Sequence, residues 1–351
     1  MRFAICLLAA LPLSAAWNYN TISGASHGAI ASRTFNGVES TYIAYRDASG
    51  SLGVSRLIGN TLWPQTVWVG INPSNTFINV SSTGTVLVTF WSSGHFRYAI
   101  RTSPGNGNCG PGAEWQCGSI VLPGSLIGAE IERVVGDVDG ISRAHFLYAL
   151  RPNNPTRALP GLYYVSRSVY GFWSTPVRAY GSNAWSPTGF TVSSSSTTNG
   201  TFTAYLNGGG AVTGTVSGTG VSNVLNIPGS GDPTYAAQSV GTAGYCSAGP
   251  SVQLIRRMQT GAWGAVYTAF ASPAATCSVV LRSASQSPSV TYPTTQGSIE
   301  IAKKAGWSSP FTYEVVDDSA VFSKPQMVHN AVEKVYVLYH GNGFLKLARE
   351  Q

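Results

Sequence analysis

An aromatic and basic pattern returns about every 48 residues along this chain, and that period constrains the fold more than any other feature. Trp17, Trp63, Trp115, Trp173, Trp263 and Trp307 each open a short alternating segment. Successive spacings are 46, 52, 58, 90 and 44, so one Trp is missing from the long interval. An aromatic also closes a strand-like segment once per period: Tyr45, Phe90, Tyr148, Tyr205, Tyr245, Tyr292 and Tyr339. A turn rich in Gly, Pro or Asn follows, then a segment ending in a cation: Arg56, Arg101, Arg167, Arg256, Lys303 or Arg349. Four short strands per 40 to 50 residues, repeated around an axis, describe an all-β β-propeller. Seven aromatics predict seven four-stranded blades. The chain stops on a third-strand segment, Gly343 to Arg349, and Trp17 to Thr21 reads as a fourth strand without its first three. Pairing the two completes the last blade and removes an open sheet edge. A six-bladed ring with one large insertion is the alternative, because segments five and six are the least regular; a sandwich would not produce the period.

Composition removes other classes. Charged residues are 10% of the 351, against roughly 25% in an average globular domain. With 40 Gly, 17 Tyr, 9 Trp and little Leu, Lys or Glu, the chain is not a helical protein. Its 43% hydrophobic share excludes disorder. Arg2, the apolar run Phe3 to Leu13 and the small residues Ser14-Ala15-Ala16 make residues 1–16 a secretory signal peptide, leaving 17–351 as one propeller domain. The expected location is outside the cell or in the secretory lumen. No stretch is apolar enough to span a bilayer, and Lys and Arg do not cluster, so membranes and nucleic acids are not expected partners. Cys6 leaves with the signal peptide. Cys109, Cys117, Cys246 and Cys277 remain and allow three pairings; proximity favours Cys109 with Cys117, which leaves Cys246 with Cys277. Asn79 and Asn199 head glycosylation sequons, Asn199 in the more polar turn.

In a propeller, the turns between second and third strands share a face with the blade-to-blade connections, and that face is the expected ligand site. It should carry Arg46, Asp47, Trp91, the loop Arg151 to Arg157, Trp185, Asp232 and His340. Channel strands should offer Arg33, Glu130, Glu132, Gln238, Arg282, Gln326 and His329. The sequence has no G-x-S-x-G elbow and no H-E-x-x-H, and the five His are dispersed, so neither metal nor cofactor is expected. Asp137-Val138-Asp139-Gly140 reads as a hairpin turn before a calcium loop. Glycoside hydrolysis needs two opposed carboxylates, whereas Glu130 and Glu132, at i and i+2, share one side of a strand. Only 14 acids are present in the whole chain, which suits a pocket that binds and orients through aromatics, amides and a few cations.

This layout of signal peptide, paired Cys, Trp and Tyr strand repeat and scarce carboxylates resembles the secreted hetero-Diels–Alderases of fungal tropolone–sesquiterpenoid pathways. The resemblance implies a propeller-like β fold and a cofactor-independent cycloaddition of an aromatic or terpenoid small molecule; it carries no active-site motif to transfer. In such a site Arg46, His340 or Arg151 would donate a hydrogen bond to a quinone-methide oxygen. Trp91 and Trp185, outside the repeated Trp series, would wall the pocket, with Asp47, Tyr339, Arg33 and His329 as further ligand contacts. The alternative is a carbohydrate-binding lectin with sites between blades. The fucose-binding propellers resemble this chain in period and Trp usage, but their sites use a recurrent Glu with Arg, and no Glu recurs here in register. A secreted scaffold without a small ligand is the plainest reading. In every case a Trp or Tyr that recurs in each blade is first of all packing.

Overall fold

The computed structural model describes residues 16–351, except 36–37, 121–128, 153–159, 182–183, 193–199, 207–209, 229–231, 238–242, 259–261, 273, 275, 283–285, 320–323 and 331. The signal-peptide expectation, apart from Ala16, and the Asn199 sequon lie outside the described residues.

The segments with a period of two form strands, and the strands form blades. Among the described residues, seven antiparallel four-stranded sheets are present. Blade 1 runs outward through Ser26–Phe35, Val38–Arg46, Leu52–Ile58 and Thr61–Trp68; blade 2 through Ser74–Val80, Val86–Ser92, His95–Arg101 and Trp115–Ser119. Blade 3 is Ala129–Val138, Ala144–Pro152, Gly161–Arg167 and Val177–Tyr180; blade 4 is Ala184–Val192, Gly200–Leu206, Ala211–Ser217 and Gly220–Ile227. Blade 5 is Asp232–Ala237, Ala243–Ala248, Val252–Arg257 and Trp263–Phe270; blade 6 is Ser278–Leu281, Pro288–Pro293, Ile299–Lys304 and Phe311–Asp317. Blade 7 takes Gln326–His329, Val335–Gly341 and Phe344–Glu350 from the C-terminal end and Trp17–Ile22 as its fourth strand. Seven blades and closure by the N-terminal strand are what the repeat predicts; the six-bladed alternative is set aside.

Position in the blade explains the residue types. Second strands are sandwiched between neighbouring blades and buried on both faces, so they read as apolar runs, Val86-Leu87-Val88-Thr89-Phe90 and Val335-Tyr336-Val337-Leu338-Tyr339. Fourth strands face solvent and alternate, as Thr61–Trp68 does. The repeated aromatics Phe90, Tyr148, Tyr245, Tyr292 and Tyr339 all lie on second strands and are at most 1% exposed, which is the packing role the period implies. The repeated cations lie on third strands, and the repeated Trp at or just before the fourth. Arg56 pairs across the strands with Trp63 and Arg101 with Trp115, Arg167 bridges to Trp173, and in blade 5 Arg257, next to the repeated Arg256, pairs with Trp263. Two clues separated in sequence are thus cross-strand neighbours at one hairpin of the blade.

Both favoured disulfides are formed. Cys109–Cys117 ties the loop after the third strand of blade 2 to its fourth strand, and Cys246–Cys277 staples blade 5 to blade 6. No described helix is long and apolar enough to cross a membrane. The two disulfides fit an oxidising compartment. Asp139 is a turn residue, as expected: its Oδ1 accepts from the N–H groups of Ile141 at 3.0 Å and Arg143 at 2.8 Å. Its Oδ2 faces His145 Nε2 at 3.1 Å, and His145 Nδ1 meets the Tyr164 hydroxyl at 2.7 Å. Burial would raise the Asp139 carboxyl, but the His145 and backbone hydrogen bonds hold it below its ordinary value.

Candidate functional site: a groove between blades 1 and 2

Adjacent blades splay toward their outer strands, and between blades 1 and 2 the splay leaves a cavity of about 590 Å³. Blade 1 supplies Tyr42, Arg56, Trp63 and Gln65; blade 2 supplies Arg101 and Pro111. The polar walls form one continuous chain. Arg101 donates to the Tyr42 hydroxyl at 2.8 Å and to Glu114 Oε2 at 3.3 Å. Gln65 Nε2 donates to Glu114 Oε1, and the buried Trp115 Nε1 donates to Gln65 Oε1 at 3.2 Å. The guanidinium carbons of Arg56 and Arg101 lie 5.7 and 5.9 Å from the Tyr42 ring centre. Trp63, which lines the same cavity two residues before Gln65, is 61% exposed.

Local sequence holds this arrangement. Residues 102–114 return to the fourth strand through main-chain bonds from Thr102 to Glu114, Gly105 to Gly112 and Gly107 to Ala113. Asn108 locks the base by pairing its amide with both backbone groups of Cys117, at 2.7 and 3.0 Å. Gly110 has φ +76°, and a Cβ there would stand 2.6 Å from the Trp115 ring, so only Gly fits. The Cys109–Cys117 bridge spans this loop, which delivers Glu114 to the groove.

The other described grooves differ. Between blades 2 and 3 the Arg167 guanidinium lies 5.4 Å over Tyr98, beside a second cavity of about 540 Å³. Between blades 5 and 6 the buried Lys304 ammonium sits 4.2 Å from the centre of Tyr267 and 4.4 Å from that of Phe311, and burial lowers its pKa. Between blades 6 and 7 the buried Lys303 is held at 2.8 Å by both Glu314 and Glu350, 5.6 Å over Trp17. A carboxylate therefore does meet a groove cation more than once. Glu114 comes from a loop, Glu314 from a fourth strand and Glu350 from a third, which is why no register in the sequence exposed them.

The second cavity is lined by first-to-second turn residues Thr83, Gly84, Thr85 and Ser142 and by Val169 of a third-to-fourth turn, and the first includes Ile58 and Pro111 beside third-to-fourth turns, opposite the face the sequence selects. Arg46, Asp47, Trp91 and His340 do lie at that other face. Arg46 and His340 are linked there through His27, which the sequence reading missed. Burial and then the Arg46 charge hold His27 below its ordinary pKa; burial and then His27 do the same to His340. Asp47 is spent on a turn, accepting from the N–H groups of Ser49 and Ser51. Trp91 packs edge-on against Phe96, with ring centres 4.9 Å apart. Tyr339 is a core residue whose hydroxyl donates to Asp317 at 2.8 Å. Arg33 stands half-buried on the first strand of blade 1, opposite Ser40; His329 meets the Asn330 carbonyl at 3.1 Å. Gln326 bridges blade 7 to blade 1 through Ile30 and Gly28, and Arg282 lies 3.8 Å from Glu350. Asn79 lies on the first strand of blade 2, its amide oxygen accepting from Val80. The side chains of Arg151, Trp185, Asp232, Glu130, Glu132 and Gln238 lie outside the described residues.

No protein-family model and no curated protein matches the sequence. Solved structures do match in fold. AofleA from Arthrobotrys oligospora is similar at 11% identity with a TM-score of 0.56, over 95% of this chain and 92% of that one. BBS1N, crystallised in complex with ARL6DN, is similar at 9% identity with a TM-score of 0.61, over 96% of this chain and 97% of that one. At such identities the likeness speaks to fold alone, and it agrees with the sheet order: this chain is a seven-bladed β-propeller.

Proposed function

We propose that the protein is a lectin-like propeller that binds carbohydrate in the groove between blades 1 and 2. The observation that carries this reading is the fixed chain Tyr42–Arg101–Glu114–Gln65–Trp115 along a cavity that the exposed Trp63 also lines. A pyranose offers an apolar C–H face and a ring of hydroxyls. The indole takes the face, Arg101 and Gln65 donate to hydroxyl oxygens, and Glu114 accepts from a hydroxyl proton. Because these side chains already restrain one another, little rotamer freedom is lost on binding. In this reading no bond is made or broken. The cycloaddition reading has no observation of its own: Arg46 and His340, two of its three proposed donors, line neither described cavity.

The test is a glycan array followed by calorimetry on the responding sugar. Trp63→Ala and Arg101→Ala should each weaken binding by about tenfold or more, with the fold retained. Absence of any glycan signal, or affinity that survives both substitutions, overturns the assignment.

A further inference from the structure

The third-to-fourth hairpin of blade 3 exposes apolar side chains that no packing role explains. Tyr170 is 85% exposed, Phe172 75% and Val169 52%, and Ile141 on the neighbouring turn is 49% exposed. The hairpin is built to hold them outward. Ser168 N–H donates to the Phe172 carbonyl at 2.8 Å, the Phe172 N–H returns to Ser168 Oγ at 3.0 Å, and Gly171, with φ +90°, closes the turn onto the Ser168 carbonyl. Two aromatics fixed at a rigid tip are a different matter from scattered surface hydrophobics.

The sequence from 140 to 231 contains no Asp or Glu, in a chain whose net charge is +7, and the described cations at this rim are Arg167 and Arg143, the latter 3.8 Å from the buried Asp139. Arg167 lies at the base of the hairpin, stacked on Tyr98, and no carboxylate pairs with it among the described residues. Beside it the second cavity is lined by Thr83, Thr85, Ser142, Gln116, Arg167 and Val169, hydroxyl and amide groups around a cation. Asp139, just before this stretch, has a fully buried side chain committed to His145, Arg143 and the turn.

We infer that blade 3 docks this rim of the propeller onto an anionic lipid surface. Tyr170, Phe172 and Val169 enter the headgroup boundary, and the acid-free sector with Arg167 faces the lipid anions. Aromatics that are apolar on one side and wet on the other suit that depth. The composition excluded a membrane span; it did not address a peripheral contact, and here the inference departs from the expectation that membranes are not partners. It stands independently of the carbohydrate groove.

Vesicle flotation tests it. The full chain should float with vesicles of phosphatidylcholine containing about one-third phosphatidylserine, weakly with phosphatidylcholine alone, and less as salt is raised. Tyr170→Ser with Phe172→Ser should reduce binding about tenfold or more with an unchanged thermal melt. Tyr170→Asp alone, at a site with no packing partner to lose, should reduce it as well. The inference is overturned if the chain does not float with anionic vesicles, or if both variants float as the parent does. It is equally overturned if the variants abolish only a self-association seen by sedimentation.

Discussion

At the residue scale, the groove depends on Arg101. Its guanidinium satisfies both the Tyr42 hydroxyl and Glu114, whose side chain is 13% exposed. Arg101→Ala leaves Glu114 with Gln65 alone, so the expected cost in stability is about 1–2 kcal/mol beyond the loss of sugar binding, readable by urea unfolding. A second residue, Asp317, makes a pH-dependent tie between blades 6 and 7. Burial would raise its pKa, but Lys346 at 2.9 Å, Ser319 and the Tyr339 hydroxyl pull the carboxyl down to about 2. A folded pKa below the unfolded value of about 4 means this stabilisation is present above pH 4 and lost as pH falls toward 2. Asp317→Asn should cost about 1–2 kcal/mol at neutral pH, with the difference closing near pH 2. A difference that persists undiminished in acid would show that the ionised carboxylate is not its source.

At the element scale, the two disulfides act on different things. Cys109–Cys117 closes a short loop within one blade, while Cys246–Cys277 joins two blades across 31 residues. Loop-closure entropy assigns about 2–3 kcal/mol to the first and about 3–4 kcal/mol to the second. Cys109→Ser with Cys117→Ser should therefore abolish sugar binding, by freeing the loop that carries Glu114, at a modest cost in melting temperature. Cys246→Ser with Cys277→Ser should lower the melt further and spare binding; equal binding losses in the two pairs would break the link between loop and groove. The same elements show what the sequence could tell. Strand number, blade number and both pairings were legible because they repeat or are adjacent: Tyr45 to Tyr339 mark second strands, and Arg56 to Arg349 third strands. The groove was not legible, because Arg101, Glu114 and Gln65 come from two blades and a disulfide-bound loop. Their proximity is set by how one sheet stacks on the next. Trp91 and Tyr339 show the converse: an aromatic outside a pattern, or next to a His, says nothing about burial until the neighbouring blade is in place.

At the scale of the whole molecule, the ring is regular but its grooves are not, and that decides valence. Lys304 fills the space between Tyr267 and Phe311, and Lys303 is bound by two Glu, so the described grooves between blades 5 and 6 and between blades 6 and 7 are satisfied internally. Calorimetry should give about one sugar per chain and no agglutination by the monomer, in contrast to a ring of equivalent sites. Closure of the ring makes the last prediction. Trp17–Ile22 pairs along its whole length with Phe344–Glu350, from Trp17 opposite Glu350 to Ile22 opposite Leu345. It also reaches both neighbours: the Tyr19 hydroxyl donates to the Val316 carbonyl of blade 6 at 2.6 Å, and Asn20 donates to Asn60 of blade 1 at 3.3 Å. Deleting residues 17–22 removes a strand, two inter-blade bonds and the Trp17 packing, and leaves Phe344–Glu350 as an unpaired edge. The expected result is a melting temperature lower by about 10 °C or more and edge-to-edge association in light scattering. A synthetic peptide spanning residues 16–22 should restore the melt by supplying the missing strand. A truncated chain that stays monomeric with the parent melt would mean that contacts between blades, and not this strand, hold the ring shut.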